Sequence, residues 1–315
     1  MRCRGYSRPL QRVITDFGAD LPFARVSDKL KEHYGISVPP SAAASLTYRH
    51  ARGLDSADIL PNAPTTVPML LIAQADGSMI PVVQMATTDT SEHRDKRKRR
   101  VLSWKEARLT LVRHPAEIEP TFAVTLGDAQ ATGENLKRLA IAAGLGRHTR
   151  VHGLGDGAPW IAEQMDRQFG AQGRYLIDFY HLCDYLAAAA PVCAPPQPEC
   201  WLSAQKDRFK SGALTTVMAD LESHREADTA QGDTPVRDAY RYIANRPDQF
   251  DYPQAIAANL PIGSGEVESA HRSVIQKRLK LPGAWWLPDN AQAMLNLRCL
   301  RANHRWKDYW TTAAA

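Results

Sequence analysis

The sequence has few cysteines and no long apolar run, and each absence excludes a class of protein. Its 315 residues include five cysteines, none in a Cys-x-x-Cys pair, so neither a disulfide framework nor a cysteine-based zinc site is expected. It contains no stretch of about 20 apolar residues, so no membrane-spanning helix is expected. Since the start also lacks the apolar segment of a secretory signal, we expect an intracellular protein.

The composition supports a folded core, and the charge distribution draws attention to residues 271–310. Hydrophobic residues make up 44% of the chain and charged residues 23%, with a net charge of +5, which is typical of one large or two ordinary domains. Residues 271–310 hold eight Lys or Arg against two Asp, and four of the seven Trp. This mixture suits nucleic-acid binding, and it equally suits a charged helix face over a Trp-anchored core.

Residues 11–55 are predicted to form short helices. Apolar residues recur at helical spacing over 23–34, Gly35 is expected to end that helix, and Ser41 is expected to cap another that runs to about Arg52. Two short helices around a glycine-containing turn resemble a helix-turn-helix DNA-binding unit, although many helical pairs that bind no DNA share the pattern.

The segment that follows has the patterns of strands. Residues 66–75 and 79–83 are apolar runs on either side of Asp76-Gly77, so we predict a β-hairpin that turns at this pair. A third strand is predicted within 106–112.

Helices and strands then alternate, which predicts an α/β fold with a mixed sheet flanked by helices. A proline at 159 favours a helix start, because the first turn does not need its missing N–H. The predicted segments are a helix over 130–143, a strand over 149–154, a helix over 159–169 and a strand over 174–180.

Two segments depart from this alternation. Residues 91–100 contain six Lys or Arg and two acidic residues, and they either form a solvated loop or touch phosphates near a site. Residues 182–258 lose strand character, with an expected break over 187–198, and are predicted to be a helical insertion. A helix from Glu266 to about Leu281 follows.

Two aspartates occupy positions where sheets commonly bind ligands. Asp76 and Asp156 each follow a predicted strand and precede a glycine, and ligands gather at strand ends when helices cover the sheet. Carboxylates favour Mg²⁺ or Mn²⁺ over zinc, and Glu268 would supply a third. Two metal ions held by three acids suit phosphodiester chemistry. An Asp before Gly is also an ordinary turn residue, so either one alone is weak evidence.

A series of motifs runs in order over about residues 11–310. They are Asp76-Gly77, Gly155 to Ile161, Leu176 to Leu182, Pro261 to Ser269, Gln276 to Lys280, Gly283 to Trp286 and Asn296 to Arg298. Together they resemble bacterial insertion-sequence transposases of the ISKra type, which are similar to Mutator-like DDE transposases.

The resemblance implies an RNase H-like fold with an α-helical insertion before the last acid. It also implies that Asp76, Asp156 and Glu268 are the catalytic residues and hold two Mg²⁺ or Mn²⁺ ions. The family's Asp-x-x-His signature falls on Asp178 and His181, which would support the site without binding metal. His181 could equally be a core histidine that a neighbour satisfies.

Two details near the third acid depend on the resemblance. Glu266 and Glu268 are two residues apart and point about 200° from each other on a helix, so only one can face the sheet; the family's Glu-Ser motif selects Glu268. Arg272, on the same face as Glu268, either neutralises the scissile phosphate or pairs with the glutamate. Further DNA contacts are expected from Lys277, Arg278, Lys280, Trp285 and Trp286.

We therefore expect a transposase that binds its element's terminal inverted repeats and target DNA, cleaves and joins strands, and self-associates on DNA at the bacterial nucleoid. The alternatives are a DNA-binding regulator or domesticated relative without chemistry, and a structure-specific nuclease that cuts without joining. The predicted divisions are an N-terminal helical DNA-binding region over 1–62, the RNase H-like core over 63–181 and 259–315, and the insertion over 182–258.

Overall fold

A computed structural model of the chain describes residues 5–85 and 100–312. All of the charged segment 91–100 except Arg100 lies outside the described residues. The strands are β1 (Leu70–Met85), β2 (Arg100–Arg113), β3 (Thr121–Thr125), β4 (Arg150–Gly155) and β5 (Gly173–Ile177). The helices are α1 (Arg8–Asp20), α2 (Phe23–Tyr34), α3 (Pro40–Arg52), α4 (Ser56–Ile59), α5 (Ala129–Ala142), α6 (Pro159–Phe169), α7 (Phe179–Cys193), α8 (Pro198–Lys210), α9 (Leu214–Ser223), α10 (Pro235–Ala244), α11 (Tyr252–Ala257), α12 (Gly265–Ala270), α13 (Lys277–Leu279), α14 (Pro288–Ala302) and α15 (Trp306–Thr312), with a 3₁₀ turn over Gly170–Gln172 and a π-helix over His271–Gln276.

The strands form one mixed sheet in the order β3-β2-β1-β4-β5. β4 pairs in parallel with both β1 and β5, whereas β2 and β3 pair antiparallel. Helices α5, α6 and α14 pack on strands of this sheet. The predicted α/β class with a mixed sheet flanked by helices is therefore confirmed.

The chain divides into two compact units. Unit 1 is built from Met1–Pro68, Ala75–Gly146 and Glu266–Ala315, and unit 2 from Met69–Gln74 and Arg147–Gly265. Strand β1 passes from unit 2 into unit 1 after Gln74. The division into domains made from the sequence stays a prediction.

The N-terminal helices of unit 1 pack on one another around a small apolar core. Ile14, Val26 and Leu30 are fully buried there. Helix α2 has the predicted bounds, but α3 begins at Pro40 rather than after a Ser41 cap. Proline fits the first turn because its missing N–H would have no helical partner there, so the capping prediction for Ser41 is wrong.

Strand β1 runs straight through the Asp76-Gly77 pair, so the predicted hairpin is wrong. Gly77 has no positive φ and stays in the strand. A Cβ at this position would overlap the Glu106 carboxylate on β2. The glycine therefore serves close packing within unit 1 and not a turn.

The predicted order of strands and helices is observed, although some of the strands differ from the predicted ones in identity or length. The first two predicted strands are both part of β1, and β3, which was not predicted, supplies the missing one. Strand β5 ends at Ile177 instead of residue 180. It ends there because the Asp178 carboxylate accepts the backbone N–H groups of Tyr180 and His181 and so caps α7.

In unit 2, helices α7 to α11 bury a second core against β4 and β5. The break expected over 187–198 falls later than predicted, because α7 continues through Pro191 to Cys193. The chain leaves the helix only over residues 194–197, and α8 then starts at Pro198. Alanines 187–190 belong to the helix, in agreement with the high helix propensity of alanine.

Candidate active site

Asp76 lies on β1 within unit 1 and faces a buried histidine. Its Oδ1 accepts the N–H of Gly77 at 2.7 Å. Its Oδ2 lies 3.1 Å from Nε2 of His271, on the π-helix of the same unit. One carboxylate oxygen is thus used by the backbone, while the other faces an imidazole ring.

His271 is not among the site residues predicted from the sequence. The side chain is only 3% exposed, and neither ring nitrogen makes a hydrogen bond within residues 5–85 and 100–312. The approach to Asp76 is therefore a short contact without hydrogen-bond geometry. An unsatisfied buried polar group is costly, and both ring nitrogens of His271 are in this position. The available signal was its spacing from apolar residues, because His271 lies four residues after Val267 and three before Val274, which are both buried.

Asp156 lies in unit 2, in the turn between β4 and α6. Its Oδ1 accepts the N–H of Ala158 at 2.8 Å. Gly157 has φ of +85°, a conformation that favours glycine, and donates its N–H to the Tyr175 hydroxyl at 3.1 Å. This backbone geometry fixes the direction in which the Asp156 side chain leaves the turn.

The two glutamates after the loop 261–265 have different environments. Glu266 forms an ion pair with Arg113, with Oε1 at 2.7 Å from Nε, and Arg113 is itself mostly buried. Glu268 is exposed and makes no hydrogen bond or ion pair within the described chain. Glu266 is therefore committed to a structural contact in unit 1, whereas the Glu268 carboxylate is open to a ligand.

The three residues predicted to bind metal ions all have carboxylate oxygens that accept no hydrogen bond from the described protein. Oδ2 of Asp156 and both oxygens of Glu268 have no protein donor among the residues described, and Oδ2 of Asp76 faces only His271. Carboxylate oxygens of this kind suit Mg²⁺ or Mn²⁺. Over the same ranges, no three His, Cys, Asp or Glu side chains form a group that could hold a metal ion, so the metal site stays a prediction.

Asp178 is a buried hydrogen-bond acceptor that joins α7 to the loop 261–265. Only 2% of it is exposed. Its Oδ1 accepts the N–H groups of Tyr180 and His181 at 2.6 and 3.1 Å, and its Oδ2 accepts the N–H and the hydroxyl of Ser264, each at 2.5 Å. The carboxylate is therefore occupied by four protein donors.

His181 belongs to an aromatic cluster in unit 2. Its ring centroid lies 5.6 Å from that of Tyr185 and 6.0 Å from that of Tyr242, both at steep angles. These contacts fit a packed histidine, which is one of the two interpretations that the sequence left open.

Arg278 and Trp286, two of the residues expected to contact DNA, are packed inside unit 1. Arg278 is 3% exposed, and its Nε donates to the Gly18 carbonyl at 3.2 Å. Its guanidinium carbon lies 5.1 Å from the ring centroid of Phe23 and 4.8 Å from that of Trp286. Burial lowers the pKa of Arg278 to about 10, so it remains a cation at neutral pH. Trp286 is 4% exposed and donates Nε1 to the Leu279 carbonyl. Both residues thus stabilise the fold and have little surface to offer a ligand.

The other expected DNA contacts lie at the surface of unit 1. Trp285 is 54% exposed, and Arg272, Lys277 and Lys280 are exposed as well. Lys277 has a weak contact with Asp20 at 3.8 Å, while Arg272 and Lys280 have no ion pair in the described residues. These four side chains remain accessible to a phosphate backbone or an unstacked base.

Comparison with known proteins adds no relative, since no protein-family model and no curated protein matches the chain. Over residues 5–85 and 100–312, every helix is too short or too polar to cross a membrane.

Proposed function

We propose that the chain is a DDE transposase with an RNase H-like core, of the ISKra type that its motifs resemble. The observation that carries the proposal is the register of β1 and β4 in unit 2. Gln74 pairs with Leu154, and Asp76 and Asp156 each follow their paired residue by two positions. Asp76 lies within β1 and Asp156 in the turn that follows β4, and carboxylates from such positions suit metal-dependent phosphoryl transfer. The mixed five-stranded sheet flanked by helices is compatible with an RNase H-like fold.

In this proposal Asp76, Asp156 and Glu268 hold two Mg²⁺ or Mn²⁺ ions. When bound, such ions activate an oxygen nucleophile and stabilise the leaving oxygen at phosphorus. The protein residues have separate tasks. Gly77 N–H and Ala158 N–H each hold one oxygen of an aspartate, which leaves the second oxygen directed away from the backbone.

The basic surface supplies the proposed DNA contacts. Arg272 lies four residues after Glu268, and Lys277 and Lys280 follow on the same segment. Their charges would neutralise phosphates near the reacting bond.

The test is a joining assay with a DNA duplex that carries the terminal repeats flanking the gene, target DNA, and Mg²⁺ or Mn²⁺. We expect the wild-type chain to produce joined products that Asp156→Ala abolishes. Cut but unjoined ends would instead indicate a structure-specific nuclease. Salt-sensitive binding without products would indicate a DNA-binding regulator. Joining that survives Asp156→Ala would remove Asp156 from the catalytic set.

Self-association is tested separately, by sedimentation of the chain with and without end DNA. Joining two ends needs more than one active site, so we expect self-association on end DNA. Sedimentation that finds a monomer both with and without end DNA would contradict this part of the proposal.

A further inference from the structure

The turn that carries Asp156 is held by side chains from the segment predicted as a helical insertion. The Tyr242 hydroxyl, on α10, donates to the backbone carbonyl of Asp156 at 2.7 Å. Arg246, which follows α10, donates Nε to the carbonyl of Gly157 at 2.8 Å. Together with the bond from Gly157 N–H to Tyr175, three consecutive polar groups of this turn bind side chains, all inside unit 2.

Tyr242 and Arg246 are themselves fixed. Tyr242 is buried and stacks on Tyr185, with ring centroids 4.1 Å apart and planes 19° apart. The Arg246 guanidinium lies 4.3 Å from the Tyr242 ring, and its Nη1 donates to the Tyr242 carbonyl at 2.8 Å. Burial raises the pKa of Tyr242 above its ordinary value, so its hydroxyl stays protonated and remains a donor.

The side chains of Tyr242 and Arg246 pack closely against the turn at Gly157. A Cβ on Gly157 would overlap the Tyr242 hydroxyl and lie 3.3 Å from Nε of Arg246. The turn therefore accepts only glycine at this position while Tyr242 is in place. The hydroxyl binds the backbone directly, and its loss would leave the partly buried Asp156 carbonyl without this donor.

We propose that Tyr242 and Arg246 are positioning residues that orient the carboxylate of Asp156 for metal-dependent DNA cleavage. They bind the backbone carbonyls of Asp156 and Gly157, one on each side of the Gly157 Cα, and touch no reacting atom. The helical segment between β5 and the Glu268 helix is then part of the catalytic machinery. The role in cleavage rests on the proposed function, whereas the control of the turn does not.

The test compares Tyr242→Phe with Tyr185→Phe, because the two rings stack on each other and only Tyr242 binds the turn. Two readouts are needed: amide hydrogen exchange at Gly157 and Ala158 by NMR, and single-turnover cleavage of terminal-repeat DNA as Mg²⁺ is titrated. We expect Tyr242→Phe to speed exchange at these amides and to lower the maximal rate about tenfold or more, with a higher Mg²⁺ requirement and an unchanged Kd for DNA. Tyr185→Phe should match wild type in both readouts.

Arg246→Lys provides a second variant, because lysine keeps the charge but lacks the Nε donor, and it should show the same exchange and rate defects. Unchanged exchange at Gly157 and Ala158 in both Tyr242→Phe and Arg246→Lys would overturn the inference. An equal loss of rate in Tyr242→Phe and Tyr185→Phe, in proportion to lost thermal stability, would also overturn it. If wild type cuts no DNA while exchange still changes only in Tyr242→Phe and Arg246→Lys, the proposed function fails and the control of the turn stands.

Discussion

Single buried polar residues determine how the segments near the candidate site are held. Asp178 is the clearest case, because its carboxylate binds the start of α7 through Oδ1 and Ser264 through Oδ2. His152 adds a second attachment to the same loop, since its Nε2 lies 2.8 Å from the Pro261 carbonyl. Burial lowers the pKa of His152, so the ring is neutral at pH 7 and donates this bond as a neutral imidazole.

Replacing Asp178 should therefore destabilise the protein. Asp178→Ala removes a helix cap and leaves Ser264 without its acceptor, and we expect a loss of about 2–4 kcal/mol. Urea unfolding followed by circular dichroism measures this loss. Asp184→Ala, at an exposed position on the same helix, should stay within about 0.5 kcal/mol of wild type. An equally small effect of Asp178→Ala would contradict the structural role given to the carboxylate.

Residue patterns explain why the site could be predicted only in part. Asp76 and Asp156 stand out because an acid directly before glycine, after an apolar run, is visible in the sequence, although Asp76 lies inside β1 and not at its end. Arg278 and Trp286 look like surface residues from composition alone, because a guanidinium packed between rings has the same sequence signature as a solvated one. Their burial depends on Phe23, more than 250 residues earlier in the chain.

At the scale of elements, the π-helix over His271–Gln276 is the feature that the sequence did not predict. A π-helix widens the turn and changes which residues face the sheet, and here it begins at the histidine that faces Asp76. Arg298 on α14 donates to the carbonyls of Ser273 and Val274, and also to Ala19 and Asp20. One buried guanidinium thus satisfies backbone acceptors of the widened helix.

The ion pair between Arg298 and Asp20 affects the pKa of the Asp20 carboxyl group. Burial alone would raise the pKa of Asp20, but the hydrogen bond from Arg298 and the charge of Arg301 outweigh it and lower the pKa. Asp20 is therefore ionised at neutral pH and depends on both arginines for compensation.

Arg298→Ala should cost about 3–5 kcal/mol, because it leaves the carbonyls of the π-helix without their donor and removes one of the two arginines that compensate the Asp20 carboxylate. Arg298→Lys should recover less than half of this loss, since one ammonium cannot reach all four acceptors. The measurement is the free energy of unfolding, with the exposed Arg272→Ala as a control that should be nearly neutral. Full recovery by lysine would show that charge alone, and not the fork of donors, supports the π-helix.

Some helices were predicted with the correct bounds because the residues that determine them lie within or next to the helix. Helices α2 and α6 have their predicted bounds because periodicity and a starting proline act within a few residues. The Asp76-Gly77 pair misled the prediction because the requirement for glycine comes from Glu106 on another strand. Strand β3, Thr-Phe-Ala-Val-Thr, does not alternate between apolar and polar residues, so the pattern used to predict strands is absent.

For the whole molecule, the proposed DNA surface includes three exposed basic residues, Arg272, Lys277 and Lys280. Each phosphate contact contributes about −0.9 to the slope of log K against log salt. Replacing all three by Ala should make the slope for terminal-repeat DNA shallower by about 2–3. Replacing Arg167, Arg225 and Arg241, three exposed arginines of unit 2, should leave it nearly unchanged. Equal slopes for the two triple variants would contradict the assigned DNA surface.

The most direct test of the proposed metal site compares Glu268→Gln with Glu266→Gln, together with Asp76→Asn and Asp156→Asn. Each substitution keeps the shape of the side chain and removes its charge. In single-turnover cleavage of terminal-repeat DNA with Mn²⁺, Glu268→Gln and both Asn variants should lose about 100-fold or more in rate. Glu266→Gln should cut at nearly the wild-type rate, because Glu266 pairs with Arg113. Wild-type cleavage by Glu268→Gln, or a large loss in Glu266→Gln alone, would contradict the account.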